Sequence, residues 1–254
     1  MATLFLPPVI AAARSAEEKG LEIAREADRR TNGYVDFTAE MEMILKNKHG
    51  RTSSRKIRIR TLEVEGDGDK SISIFDSPRD VKGTAFLTWS HKTGDDDQWL
   101  YLPALKRVKR ISSRNKSGSF MGSEFAYEDI SSEELEKYSY KWIRDEVYNG
   151  LECFVIERYP VNKKYSGYTR LLTWIDKKEY NPLKIDYYDR KNSLLKTLTF
   201  NGYKKYSGKF WKPEEMMMVN HQNGKSTKLV WRDYKFQTGL KERDFSKNSL
   251  KRIK

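Results

Sequence analysis

From residue 35 onward the chain changes face at almost every position: "VDFTAEMEMIL", "RKIRIRTLEVE", "KSISIFD", "TAFLTWSH" and "QWLYLP" alternate or run apolar in strand-length pieces. A period of two marks β-strands with one buried face. In "KIRIRTLEVE", Ile57 and Ile59 point one way while Lys56, Arg58 and Arg60 point the other. One face is wet and the other dry, as in an antiparallel sheet. Asn149-Gly150, Asn201-Gly202 and Asn223-Gly224 each lie between such runs, and Asn-Gly is the preferred pair for a type I′ hairpin because both residues tolerate positive φ. "EGDGDK" and "KTGDDDQ" read as further turns. No βαβ alternation is present, which argues against a parallel α/β scaffold.

The expected fold is therefore mainly β with a few helices (α+β). "EEKGLEIAREADRR" puts Leu21, Ala24 and Ala27 on one helical face with Ile23 beside them, so an amphipathic helix opens the fold. A second helical interruption, with serine caps, is expected in "DISSEELEKY". A sheet of about ten strands does not stay flat but twists and curls, and its apolar concave face needs a filler. The chain's own helices or a ligand could supply it.

Only 37% of residues are hydrophobic, yet aromatics make up 13% and bury much area per residue. No Pro/Gly/Ser-rich or charge-pure linker divides the chain, so residues 17–254 read as one domain. "MATLFLPPVIAAARSAEE" starts apolar and ends in small residues, and residues 1–16 read as the remnant of a secretory signal peptide. No segment has the roughly 20 apolar residues of a membrane helix. The lone Cys153, in "LECFVIERY", excludes an intrachain disulfide and reads as a small core residue.

The formal charge of +13 raises nucleic acid, anionic lipid or an acidic partner as candidates. "ALKRVKRISSRNK" carries six cations, but Val108 and Ile111 need burial, so Arg107 and Lys109 share one strand face and Arg110 takes the other. With no RNP-type aromatic pattern or helix-turn-helix, nucleic acid is not the expected partner. His49, His91 and His221 are scattered without metal-ligand spacing, and Asp95, Asp96 and Asp97 sit where a turn is already required. No G-x-S-x-G, Walker A or local Cys/His dyad occurs. The sequence therefore argues for no enzyme, no metal and no cofactor.

"SGSFMGSEFAYEDI", residues 117–130, sets large apolar side chains among glycines and serines directly behind "WLYLPALKRVKRI". Together with "RTLEVEGDGDKSISIFDSPRDVKGTAFL", "YTRLLTWID", "YYDRKNSLLKTLTF" and "NHQNGKSTKLVW", these stretches resemble the outer-membrane lipoprotein-sorting family, the LolA-like and LolB-like superfamily of Gram-negative envelopes. They are most similar to the branch found beside exporters of the resistance-nodulation-division (RND) type. The likeness covers roughly residues 20–254. It implies a strongly curved antiparallel sheet, an unclosed barrel, whose N-terminal and short helices cover an apolar cavity. It also implies a non-enzymatic, monomeric periplasmic carrier of lipid or lipoprotein acyl chains, working with an inner-membrane RND-type transporter. The alternative is an adaptor that binds such a transporter and no lipid.

On that footing Trp99, Tyr101, Leu102, Phe120, Met121, Phe125, Tyr127, Met216 and Met218 are the expected cavity wall or lid, with the 117–123 segment bending over the mouth. Lys106, Arg107, Lys109, Arg110 and Arg114 are the expected dock for an anionic head group, membrane leaflet or acidic protein. An acyl chain of about 14 carbons would contribute on the order of 10 kcal/mol before losses.

Overall fold

The computed structural model describes residues 14–252. The expected signal remnant lies outside the described residues up to position 13, and its last residue, Ala16, already opens a helix, α1 (Ala16–Thr31). Ser15 and Glu18 form a reciprocal capping box, Glu17 and Glu18 occupy the first turn and Arg29 and Arg30 the last, so both ends complement the helix dipole. Ile23 and Ala24 are buried against Tyr140, Ile156 and Ile175.

Among the described residues fifteen strands follow: β1 (Asp36–Lys46), β2 (Thr52–Leu62), β3 (Lys70–Ser77), β4 (Ala85–Trp89), β5 (Asp97–Leu102), β6 (Arg107–Ile111), β7 (Tyr138–Tyr148), β8 (Leu151–Pro160), β9 (Tyr168–Asp176), β10 (Pro182–Asp189), β11 (Leu194–Asn201), β12 (Lys204–Tyr206), β13 (Phe210–Lys212), β14 (Glu215–Asn220) and β15 (Ser226–Phe236). Thirteen form one antiparallel sheet in the order β6-β5-β4-β3-β2-β1-β15-β14-β11-β10-β9-β8-β7, while β12 and β13 make a separate hairpin. The first and last long strands, β1 and β15, seam its two halves, with Met43 opposite Leu229 and Met41 opposite Trp231. The sheet curls without closing. Its edges, β6 and β7, are consecutive in sequence but at opposite ends of the sheet, so residues 112–137 must cross from one edge to the other.

The crossing is clasped from the β4–β5 turn. Asp96 pairs with Lys137 at the start of β7, and Asp95 accepts from Asn162 Nδ2 at 2.9 Å, beyond β8. The third aspartate, Asp97, pairs with Arg110. Each carboxylate of "DDD" thus has a structural partner. Among the described residues no group of three or more His, Cys, Asp or Glu is placed to hold a metal ion.

The main core lies on the concave face. Met41, Met43, Ile57, Phe75, Phe86 and Leu100 meet Ile185, Leu198, Met218 and Leu229 from the other half. The outer face is not uniformly wet, however. Ile72, Ile74, Leu87 and Trp99 point outward and are covered by Phe245 and Leu250, from a 3-10 turn and the short helix α2 (Lys247–Leu250). Cys153 is fully buried on the outer side with Val155 and Trp174.

Asn149-Gly150 joins β7 to β8 as a two-residue turn with φ of 49° and 80°, the geometry of type I′. At the other two Asn-Gly pairs only the glycine has positive φ. The helical interruption expected in "DISSEELEKY" is a 3-10 turn, Leu135–Lys137, with no side-chain cap. Ser132 donates instead to Glu134 Oε1 at 2.6 Å, and β7 begins at Tyr138, leaving no length for an α-helix.

Gly20 lets α1 settle directly on β7. A Cβ there would lie 2.6 Å from the Trp142 backbone nitrogen and 2.7 Å from the Lys141 carbonyl carbon. Gly20→Ala is therefore expected to destabilise the fold by about 1–3 kcal/mol, although alanine is the better helix former by about 1 kcal/mol. A urea midpoint at or above wild type would refute this close approach.

Candidate ligand cavity

Residues 117–130 form a plug inside the curled sheet. Met121 and Gly122 take positive φ (49° and 77°), folding the chain so that Phe120 N donates to Phe125 O at 2.7 Å. Ser123 Oγ donates to Phe120 O at 2.7 Å. The turn is tied to the sheet by Glu124 N donating to Thr227 Oγ1 at 2.9 Å and Asn220 Nδ2 donating to Glu124 Oε2 at 2.7 Å. Arg55 donates to the Met121 carbonyl. Phe120 and Phe125 are 1% and 2% exposed.

A buried ion pair anchors the far end of the plug. Lys196 Nζ lies 2.6 Å from Asp129 Oδ2, each side chain 4% exposed, and also donates to Glu124 O at 2.9 Å. Asp129 Oδ1 accepts from Tyr168 OH at 2.8 Å. Burial, together with the nearby carboxylates, pushes the Tyr168 phenol well above its usual range, so it stays a donor.

Between the plug, α1 and the strands β8–β11 and β14 remains a cavity of about 310 Å³. Ala24, Ala27, Phe125, Ile156, Ile175 and Met216 supply apolar wall, and Arg158, Thr173 and Glu133 are among its polar groups. This volume lies at the lower end of ordinary ligand pockets, about 300–1,000 Å³. A wider cleft of about 960 Å³ shares Asp28, Thr31, Glu133 and Leu135 with it and is lined further by Tyr34, Glu63, Asp69 and Lys212. The cleft is electrostatically tense: burial raises the Asp69 carboxyl to about 6, raises Asp28 and Glu134, and lowers the Lys212 ammonium.

Of the expected wall residues, Phe125 and Met216 line the apolar cavity. Phe120 and Met218 are wholly within the core, with Leu102, Met121 and Tyr127 packed against it. Trp99 and Tyr101 are corrected: they belong to the outer cluster with Phe245 and Leu250, because within β5 it is Leu100 and Leu102 that face inward. The plug itself departs from the expected lid, since its apolar side chains are core and its backbone is bonded to the sheet. Lys106, Arg107, Lys109, Arg110 and Arg114 are exposed and line none of these cavities. Arg110 is neutralised by Asp97.

Sequence reasoning passed over Arg158, Thr173, Lys196 and Asp129. The alternation did carry a signal for two of them: Arg158 follows Ile156, and Lys196 precedes Leu198, at inward positions of otherwise apolar strands.

The family model matching residues 67–252 is described as that of an uncharacterized protein. No curated protein matches the sequence. Among solved structures the chain is similar to an outer membrane lipoprotein-sorting protein domain from Vibrio parahaemolyticus, with 61% identity over 92% of this chain and 99% of that one (TM-score 0.91). It is 30% identical to a DUF1329 family protein from Desulfovibrio piger, over 93% of this chain and 100% of that one (TM-score 0.89). A LolA superfamily protein from Nitrosomonas europaea, 20% identical over 93% and 100%, shares the fold at a TM-score of 0.73. These likenesses show that the chain belongs to the family of the outer membrane lipoprotein-sorting protein domain and the DUF1329 protein, and that its unclosed, curved antiparallel sheet is a LolA-like fold.

Proposed function

We propose that the protein is a non-catalytic carrier that shelters the acyl chain of a lipid or lipoprotein inside its curled sheet. The observation that carries this reading is the cavity of about 310 Å³ left between the plug and α1, walled largely by aliphatic and aromatic side chains. A buried apolar space of this kind gains free energy from every methylene it takes out of water, about 0.8 kcal/mol each. Met216 on its wall is adaptable enough to fit chains of different length. The wider cleft sharing Asp28 and Glu133 lies directly beside it.

The similarity to an outer membrane lipoprotein-sorting protein domain supports a periplasmic setting, where cargo would pass to or from an RND-type transporter of the inner membrane. Lys106, Arg107, Lys109 and Arg114 make no ion pair among the described residues. They form a surface able to meet an anionic leaflet or an acidic face of such a partner, a contact that salt would weaken.

Purification without detergent, followed by native and then denaturing mass spectrometry, tests the carrier. A lipid released in stoichiometric amount is the expected result. Ligand-free protein that also fails to take up a fluorescent fatty acid would overturn the reading and favour a protein-binding adaptor.

A further inference from the structure

The apolar cavity contains one charged group whose hydrogen bonding is incomplete. Arg158, on β8, is 6% exposed. Its Nη1 donates to the half-exposed Glu133 carboxylate, and its guanidinium carbon lies 5.3 Å from the Tyr138 ring centroid. Its Nε and Nη2 are buried with no hydrogen-bond partner among the described residues. Buried polar groups are nearly always partnered, so an exception needs a reason.

A second orphan lies one strand away. Thr173 on β9 sits opposite Ile156, two residues from Leu171, which is opposite Arg158. Its Oγ1 is likewise buried without a partner, and both residues line the same cavity. Ile156, Ile175, Ile185 and Leu198 are the apolar part of that wall, and although Asp28, Asp129, Glu133 and Tyr187 also line it, none of them reaches Arg158 Nε or Nη2 or Thr173 Oγ1.

The free edge of Arg158 has a definite chemical preference. Nε and Nη2 carry two parallel N–H groups, and on Arg58 the same two atoms grip both oxygens of Asp76 at 2.8 Å each. Arg29 holds Glu26 by the same edge at 2.8 and 2.7 Å. Such a fork matches the paired oxygens of a carboxylate or a phosphate, and arginine has no acceptor to offer in exchange.

We infer that the Nε–Nη2 edge of Arg158, assisted by the Thr173 hydroxyl, binds the oxyanion head group of a single-chain amphiphile, carboxylate or phosphate, whose tail fills the apolar cavity. The inference rests on the carrier reading and deepens it. It places head-group recognition on the inner wall of the sheet, away from the exposed basic strand β6. Glu133 keeps Nη1 occupied and holds the guanidinium plane still while the other edge receives the ligand.

The test titrates delipidated full-length protein with three probes of equal chain length: palmitate, 1-hexadecanol and 1-palmitoyl-glycerol-3-phosphate. Wild type should bind at least one of the two anions about ten- to a hundredfold more tightly than the alcohol, the worth of one or two hydrogen bonds to a charged group. The stronger anion identifies the source of the oxyanion, fatty acid or phospholipid. Arg158→Gln should bring that anion down to the affinity of the alcohol while leaving the alcohol's own affinity within about twofold. Arg158→Lys, which keeps charge but not the fork, should recover only part of the preference, and Thr173→Val should lose a smaller part. Equal wild-type binding of all three probes overturns the head-group site and leaves the carrier standing. Failure of all three to bind overturns both. The comparison of probes on wild type and on Thr173→Val holds even where an Arg158 variant does not fold.

Discussion

Phe120→Ala is expected to lower the free energy of unfolding by about 3–5 kcal/mol, and Phe120→Asp with Met121→Asp to abolish cooperative unfolding. The Phe120 ring is 1% exposed, with centroid distances of 5.0 Å to Phe86, 5.6 Å to Tyr127 and 6.1 Å to Phe75. Truncation leaves a void among three aromatics that are themselves held by β3, β4 and the plug, so little can collapse into it. Aspartate would place an unpaired carboxylate in the same site. Urea unfolding followed by tryptophan fluorescence and near-ultraviolet circular dichroism measures both. A midpoint for Phe120→Ala indistinguishable from wild type would mean that the segment is a lid that leaves the sheet without disturbing it.

The second large effect concerns Lys196. Lys196→Met should cost about 3–5 kcal/mol, because it strands the buried Asp129 carboxylate, and Asp129→Asn should cost a similar amount by stranding the ammonium. The double variant Lys196→Met/Asp129→Asn should be less damaged than the sum of the singles, since neither uncompensated charge remains. The pair lies 2.6 Å apart and joins the plug to β11, so the same variants should also raise hydrogen exchange of the plug amides. Additive single effects in the double-mutant cycle would show that the two charges are not coupled.

Much of the architecture was legible because it depends on near neighbours. Strand periodicity exposed Ile57 and Ile59 as one face of β2, and both are buried in the concave core. Asn149-Gly150 encoded its hairpin through the φ each residue tolerates. The opening helix carried its own caps at Ser15 and Glu18. The candidate site was less legible. Phe125 and Met216 were readable as apolar residues of an expected ligand surface, whereas Arg158 and Lys196 looked like two among 49 cations. Only the inward position of each within its strand distinguishes them, and that position acquires meaning once the neighbouring strands are known.

Stretches such as "WLYLPALKRVKRI" and "SGSFMGSEFAYEDI" carried the likeness to one family, while period and turn chemistry, read from the sequence by itself, determined a long antiparallel meander and an opening amphipathic helix. They could not determine which face of a strand is concave, because alternation names two faces without saying which is inside. In β5 the two are both apolar, Trp99 facing out and Leu100 in, and the C-terminal helix α2 is what makes the outer one a core. Nor could local pattern place residues 117–130 within the sheet. That follows from β6 and β7 standing at opposite edges, a consequence of β1 pairing with β15 from the far end of the chain. Lys196 and Asp129, 67 residues apart, meet only after that closure, and the cavity holding Arg158 is the space the same closure leaves unfilled.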